Sequence, residues 1–175
     1  LLAYEGFSLA KLAEDNGVAL AYEAAIAGGI PIVKTLREGM AANDILAVSG
    51  ILNGTCNYIL STMEQTGRAF DDVLSEAQAK GFAETPPDLD IDGYDAAHKL
   101  CLLSSLAFGR KPDFNTLKIE GIRSISTKDI EAAKSKDMVI RLIGKATKDE
   151  AILKPEYVPM SSPLASIRGA QNAIL

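Results

Sequence analysis

The strongest constraint on the fold is the passage from an apolar run to a helical pattern in the stretch ILAVSGILNGTCNYILSTMEQTG. Its first part, ILAVSGIL at residues 45–52, is almost continuously apolar, which is typical of a buried strand. Asn53 or Thr55 can cap the helix that follows. Ile59 and Met63 then fall on one face of that helix. A buried strand that leads directly into a helix predicts a sheet covered by helices.

A similar order is predicted nearer the N-terminus. VALAYEAAI at residues 18–26 is apolar enough for a buried strand, and a glycine turn follows. The next stretch, PIVKTLREGMAAN, has Pro31 where the first turn of a helix tolerates proline. The two glycines allow close approach of an ion or a ligand to the backbone, and Glu23 can add a carboxylate. The alternative is a tight turn followed by a helix start.

The rest of the chain combines helices with paired strands. LLAYEGFSLAKLAEDNG and DGYDAAHKLCLLSSLAFG have helical spacing, and TKDIEAAKSKD is a polar helix. MVIRLIGKATKD and EAILKPEYVPM are predicted to pair around the KDE turn, and NAIL at the end is typical of a strand. These patterns predict an α+β (mixed α/β) fold with a mixed sheet covered by helices.

Composition limits the class of protein. The chain has 175 residues, is 47% hydrophobic and carries a formal net charge of −5, so it can bury one sizeable core. The acidic balance argues against nucleic-acid or membrane partners, and we expect a soluble, cytoplasmic protein. Cys56 and Cys101 have no CxxC pattern and are predicted to be core residues. The single histidine, His98, is predicted to be structural.

The acidic stretch GFAETPPDLDIDGYDAAHKL is a candidate site. Asp95 and Lys99 are spaced i, i+4, so their head groups can meet on one helix face. Asp88 and Asp92 would extend that face if the helix reached back to them. The alternative is an ordinary solvated ion pair, because such pairs are common on helix surfaces.

The NGT stretch at residues 53–55 is a second candidate. It lies at the end of a predicted strand and at the start of a helix, a position that suits a substrate carboxylate. Ordinary helix capping by Asn53 or Thr55 is the alternative.

Three stretches in this order resemble the catalytic domain of the homoserine dehydrogenase family: YEAAIAGGIPIVKTLREG, SGILNGTCNYIL and GFAETPPDLDIDGYDAAHKL. The resemblance extends from near Leu1 to the NAIL end. The acidic stretch and the residues just before it follow the family signature, which runs from Ala77 to Lys99. Pro86 departs from it, because the family usually has a small polar residue at that position.

The resemblance implies a division of the chain and an activity. Residues 1–160 would form the substrate-binding, catalytic and dimerisation domain, and residues 161–175 a crossing segment that starts the return to a nucleotide-binding domain. No GxGxxG fingerprint is present in the sequence. The implied reaction is the NAD(P)H-dependent reduction of L-aspartate 4-semialdehyde to L-homoserine, a step toward threonine, isoleucine and methionine. A homodimer is the implied assembly.

The resemblance also implies site residues. Lys99 would donate and accept the proton, and Asp95 would orient it. Glu84 and Asp90 would contact the amino end of the substrate.

Two further sets of residues follow from the same resemblance. Gly54 and Thr55 would lie near the substrate. A monovalent cation, usually Na⁺, would be held by Glu23 and by backbone carbonyls from the residues Ile26, Gly28 and Ile30.

Two other functions remain open from the sequence. The chain can be a non-catalytic dimerisation or interaction module of the same fold, with the acidic loop on its surface. Alternatively, Lys99 can be the Schiff-base nucleophile of a lyase.

Overall fold

A five-stranded mixed sheet lies at the centre of the molecule, for which the computed structural model describes residues 1–111 and 113–175. The strands are β1 (Ala47–Ile51), β2 (Lys118–Ile119), β3 (Met138–Thr147), β4 (Ala151–Pro159) and β5 (Ala173–Ile174). Their order across the sheet is β2-β4-β3-β1-β5. Only β2 and β4 run parallel among these neighbours. The predicted mixed sheet is confirmed.

The hairpin of β3 and β4 is the longest paired part of this sheet. Its register runs from Met138 opposite Pro159 to Ala146 opposite Ala151. The backbone N–H of Thr147 donates to the carbonyl of Glu150 at 2.9 Å, which closes the turn. The predicted pairing around the KDE turn is therefore confirmed.

Helices pack against the sheet. The α-helices are α1 (Leu2–Asp15), α2 (Ile32–Lys34), α3 (Gly54–Thr66), α4 (Phe70–Ala79), α5 (Asp88–Ile91), α6 (Tyr94–Phe108) and α7 (Thr127–Lys134). A π-helical turn, Thr35–Gly39, continues α2, and short 3₁₀ turns cover Phe114–Thr116 and Pro163–Ser166. In the described residues, none of the helices combines the length and the apolar character needed to cross a membrane.

The main core lies between the sheet and these helices. Helix α6, predicted from the spacing of residues 92–109, buries an apolar stripe in it, with Ala96, Leu100 and Leu103 all 0% exposed. Strand alternation places Ile140 and Leu142 on the same side. Burial of this stripe fixes the angular position of α6.

A second, smaller core forms around the crossing segment, residues 161–175. Leu164 and Ala165 of this segment are buried against four residues of the sheet: Ile51, Val139, Ile143 and Val158. The crossing segment is therefore packed against the sheet through buried apolar residues.

The predicted strand at residues 18–26 is wrong. Val18 is 62% exposed, Ile26 is 0% exposed, and the backbone between them forms coil and turns. The stretch is rich in alanine, which favours strands weakly. The run pairs with none of the five strands, and it packs as a loop.

The predicted extension of the acidic helix face toward Asp88 and Asp92 is also wrong. Gly93 precedes α6 with φ of +88°, a left-handed conformation that ends the preceding turn, α5. Asp88 and Asp92 both form ion pairs with Arg123. Asp88 and Asp92 therefore do not line the candidate site, and they hold the loop that contains Arg123.

Candidate active site

Asn53 is the residue that joins β1 to α3 at the candidate site. It is extended, with φ of −127° and ψ of 119°, and its Oδ1 accepts the backbone N–H of Cys56 at 2.8 Å. This is the ordinary geometry of a helix N-cap. Capping uses only the oxygen of the amide, so the Nδ2 group of Asn53 stays available for other acceptors.

The Nδ2 group of Asn53 bridges two carboxylates. It lies 2.8 Å from Oδ1 of Asp90 and 2.7 Å from Oδ2 of Asp95. Asn53 itself is 4% exposed. One buried amide therefore fixes the positions of two acidic side chains that come from different elements, α5 and α6.

Lys99 is held by the same network. Its Nζ lies 2.8 Å from Oδ2 of Asp95 and 3.2 Å from the carbonyl oxygen of Leu52. The lysine side chain is 21% exposed. An ammonium group has three N–H donors, and the described residues accept two of them, so one is available to a ligand. The predicted i, i+4 contact is confirmed.

The acidic loop, residues 81–90, is tied to the start of α3. The hydroxyl of Thr55 donates to the carbonyl of Phe82 at 2.6 Å, and the thiol of Cys56 donates to the carbonyl of Asp90 at 3.1 Å. Gln78 donates from Nε2 to the carbonyl of Glu84 at 3.1 Å. These bonds place the loop against α3 and α4, and Glu84 lines a cavity.

A cavity of about 480 Å³ opens between the acidic loop, α3 and α6. It is lined by all six residues that the sequence analysis assigned to catalysis and substrate binding: Gly54, Thr55, Glu84, Asp90, Asp95 and Lys99. Asn53, Phe82 and Ala170 contribute to the same lining. Residues separated by more than 100 positions in the sequence therefore meet in one pocket.

The cavity carries an excess of negative charge, because three acidic residues and one lysine line it. Burial raises the pKa of Asp90 above its ordinary value of 3.8, and the charges of Asp95 and Glu84 add to that rise. The hydrogen bond from Asn53 opposes it. A cationic ligand group beside Asp90 would relieve this repulsion.

The glycine turn of residues 23–30 lies apart from this cavity. Glu23 accepts the backbone N–H of Val33 at 2.5 Å with one oxygen and that of Lys34 at 3.3 Å with the other. It therefore caps α2. Ile30 already accepts an N–H with its carbonyl oxygen.

His98, Cys56 and Cys101 have the structural roles that the sequence predicts. Nε2 of His98 lies 3.0 Å from the hydroxyl of Tyr4, and its ring packs against Phe114. Both cysteines are buried free thiols. Burial raises the pKa of Cys56, and the nearby Asp90 adds to this, so the thiol stays protonated.

Sequence reasoning missed Ala170 and one contact of Asn53. Asn53 belongs to the predicted NGT candidate, but its bridge to Asp90 and Asp95 joins residues 37 and 42 positions apart. Ala170 has no chemical group that singles it out. The available signal for Asn53 was its position between a buried strand and a helix, directly before Gly54.

Comparison with known proteins agrees with this architecture. The family model for homoserine dehydrogenase matches residues 31–175. A homoserine dehydrogenase from Neisseria gonorrhoeae is 46% identical over 178 residues, which cover 99% of this chain and 41% of that protein. The chain thus spans about two fifths of the length of this relative.

Solved structures give the same result. A homoserine dehydrogenase from Thiobacillus denitrificans matches with a TM-score of 0.97 and 45% identity, over 100% of this chain and 42% of that one. A hyperthermophilic archaeal homoserine dehydrogenase, solved in complex with NADPH, matches with a TM-score of 0.85 and 29% identity, over 99% of this chain and 50% of that one. The chain belongs to the homoserine dehydrogenase family.

Proposed function

We propose that this chain is the substrate-binding and catalytic part of a homoserine dehydrogenase, which reduces L-aspartate 4-semialdehyde to L-homoserine with NAD(P)H. The observation that carries the proposal is one cavity lined by Glu84, Asp90 and Asp95 together with Lys99, whose ammonium group contacts Asp95. Such a charge pattern suits a substrate that has an ammonium group at one end and a carbonyl oxygen at the other.

Lys99 is the proton donor in this proposal. Reduction of an aldehyde leaves negative charge on its oxygen, and a positioned ammonium group can stabilise that charge and then protonate it. Nζ of Lys99 is oriented by Asp95 at 2.8 Å and by the carbonyl of Leu52 at 3.2 Å. In the direction of homoserine oxidation the same nitrogen accepts the hydroxyl proton.

Glu84 and Asp90 receive the substrate ammonium group. Both line the cavity, and Asp90 is held by Asn53 at 2.8 Å. A carboxylate in partly desolvated surroundings binds an ammonium group strongly, because the ion pair replaces lost contacts with water. Gly54 and Thr55 complete the substrate site at the N-terminus of α3, where the substrate carboxylate is favoured.

The residues of the cavity do not fit the nucleotide itself. Three carboxylates would repel a pyrophosphate, and the sequence contains no glycine-rich dinucleotide fingerprint. When bound, NAD(P)H supplies the hydride. We assign its binding to a part of the intact protein outside these 175 residues; the NADPH complex of the archaeal relative supports this choice of cofactor.

A monovalent cation such as Na⁺ is proposed at the turn of residues 23–30. Carboxylate and carbonyl oxygens are the ligands that hard cations prefer. Glu23 uses one lone pair on each oxygen for the N–H groups of Val33 and Lys34, which leaves further lone pairs. The carbonyls of Ile26, Gly28 and Ile30 would complete the set.

The intact protein is proposed to be a cytoplasmic homodimer in the biosynthesis of threonine, isoleucine and methionine. Tyr157 and Met160, at the end of β4, are 49% and 53% exposed. Aromatic residues and methionine are enriched in subunit interfaces, which supports the dimer. The free thiols Cys56 and Cys101 suit a reducing compartment.

The test is the homoserine-dependent reduction of NAD⁺ and NADP⁺ by the intact protein, followed by the absorbance of the reduced nicotinamide. L-homoserine should support turnover, whereas L-serine, which is one methylene shorter, and 1-propanol, which has no ammonium group, should not. The absence of turnover with both nucleotides would contradict the proposal. In that case a dimer without any effect of homoserine on its melting temperature would favour the interaction module.

A further inference from the structure

Helix α3 carries a buried stripe of polar residues. Asn57, Ser61 and Glu64 are spaced by four and three positions, so they lie along one helix face. Their exposed fractions are 1%, 1% and 8%. A buried helix face is ordinarily apolar, and buried polar groups persist only where they have partners. The stripe therefore needs a structural explanation.

The partners of Asn57 and Ser61 are backbone groups of the crossing segment. Nδ2 of Asn57 lies 3.3 Å from the carbonyl oxygen of Ile167, 2.9 Å from that of Gly169 and 3.3 Å from that of Gln171. The backbone N–H of Gly169 donates to the hydroxyl of Ser61 at 3.0 Å. Two side chains of α3 thus hold a stretch of five residues.

A buried arginine extends this attachment. Arg141 of β3 is 0% exposed and lies 2.8 Å from Oε2 of Glu64. It also donates to the carbonyls of Ala165 at 3.0 Å and Ile167 at 3.2 Å. A buried guanidinium is costly unless its donors are satisfied, so these contacts fix the course of the segment.

The attached segment reaches the candidate active site at Ala170. A Cβ atom at Gly54 would lie 2.7 Å from the carbonyl oxygen of Ala170, so the two backbones are in close contact. Ala170 lines the cavity together with Gly54 and Thr55. Lys99 is held instead by Asp95 and the carbonyl of Leu52, as described above. The wall of the cavity and the proton donor therefore have separate supports.

We propose that Asn57, Ser61, Glu64 and Arg141 are positioning residues that hold the crossing segment so that Ala170 forms one wall of the substrate cavity. They act on substrate affinity and leave proton transfer at Lys99 intact. This inference rests on the proposed function, because it assigns the cavity to the homoserine substrate.

The test uses the intact enzyme with Asn57→Ala and with Ser61→Ala, a milder change that removes only the acceptor of Gly169. Each variant should raise the KM for homoserine by roughly tenfold and change kcat by less than about threefold, the signature of lost ground-state binding. Amide hydrogen exchange at residues 167–171 should accelerate. Ile140→Val is the matched control, because Ile140 precedes Arg141 but faces the main core; it should change neither quantity.

The outcomes separate the two proposals. A wild-type enzyme without turnover would overturn the proposed function, and this inference with it. An active wild-type enzyme whose Asn57→Ala and Ser61→Ala variants keep their KM would overturn the inference alone, even if hydrogen exchange accelerates, because the contacts would then be purely structural. A loss of kcat at unchanged KM would overturn it as well. A rise in KM with faster exchange would support it.

Discussion

Residues 18–39 and residues 45–66 have the same order of apolar run, small polar turn and helix, yet they build different structures. In the second stretch the run is a strand, β1, paired on both sides. In the first it is a loop. The two capping residues also differ: Glu23 uses both oxygens to cap α2, whereas Asn53 caps α3 with its oxygen and has Nδ2 left to bridge Asp90 and Asp95.

These differences show what brings a helix N-terminus into the substrate cavity. The strand before it must be fixed, so that the cap lies at a defined position. The cap must also have a hydrogen-bond donor that the helix does not use. Only the stretch that meets both conditions lines the candidate active site.

The largest expected effect concerns Lys99, which the second stretch holds through the carbonyl oxygen of Leu52. Lys99→Ala removes the proposed proton donor and should lower kcat by roughly 10²- to 10⁴-fold. Lys34→Ala is the matched control, because Lys34 forms an i, i+4 pair with Glu38 at 3.9 Å whose side chains are 71% and 69% exposed. It should leave kcat unchanged. Normal turnover of folded Lys99→Ala would disprove the assigned role.

Asp90→Asn tests the carboxylate that Asn53 of the second stretch holds in the cavity. Losing a carboxylate that binds an ammonium group should raise the KM for homoserine roughly 10- to 100-fold. Asp44→Asn, in the exposed loop between the two stretches, is the control and should leave KM unchanged. An unaltered KM in Asp90→Asn would place the substrate ammonium elsewhere.

Asp90→Asn should also change how the stability of the folded protein depends on pH. The pKa of Asp90 is raised in the folded protein, so the folded state binds its proton more tightly than the unfolded state. Stability is therefore lost as pH rises from the ordinary pKa through the raised one. Asp90→Asn should unfold at higher urea concentration than wild type at neutral pH, and the difference should vanish well below the ordinary value of 3.8. A variant less stable at neutral pH would contradict this.

Replacing one glycine in each stretch tests how closely other atoms pack against the backbone there. Gly54→Ala would place Cβ 2.7 Å from the carbonyl of Ala170, and such overpacking costs about 1–3 kcal/mol. Gly28→Ala meets nothing within 4 Å and should be tolerated. Urea unfolding and the KM for homoserine measure both effects. Equal tolerance of the two changes would show that the contact with Ala170 can relax.

The smallest expected effect is that of Na⁺ on the first stretch. Replacing N-methylglucamine with Na⁺ at constant ionic strength should raise the melting temperature by a few degrees, as expected for a ligand that binds only the folded state. Glu23→Gln should abolish this rise. Glu38→Gln, in the π-helical turn that follows α2, removes an exposed carboxylate and should retain it. If Na⁺ does not change the melting temperature of the wild-type protein, the proposed cation site is wrong.

Local patterns predicted the parts of the fold that depend on neighbouring residues. The apolar run of β1, the hairpin of β3 and β4, and the i, i+4 pair of Asp95 and Lys99 all follow from spacing within about 20 residues. The absence of a strand at 18–26 does not, because strand pairing joins distant parts of the chain and none of the five strands pairs with this run.

The residues of the candidate site were also predictable only in part. Resemblance to a family brought Glu84, Asp90, Asp95 and Lys99 together, and the structure places them in one cavity. Spacing alone wrongly added Asp88 and Asp92, because their partner Arg123 lies more than 30 residues further along the chain. Long-range pairing of polar groups is decided by packing that a linear pattern does not contain.

The most direct test of the central proposal is a crystal structure of the intact protein with L-homoserine. The proposal predicts the substrate ammonium group about 3 Å from carboxylate oxygens of Glu84 and Asp90, and the hydroxyl oxygen about 3 Å from Nζ of Lys99. Homoserine bound in the reverse orientation, or outside the cavity between α3 and α6, would contradict it.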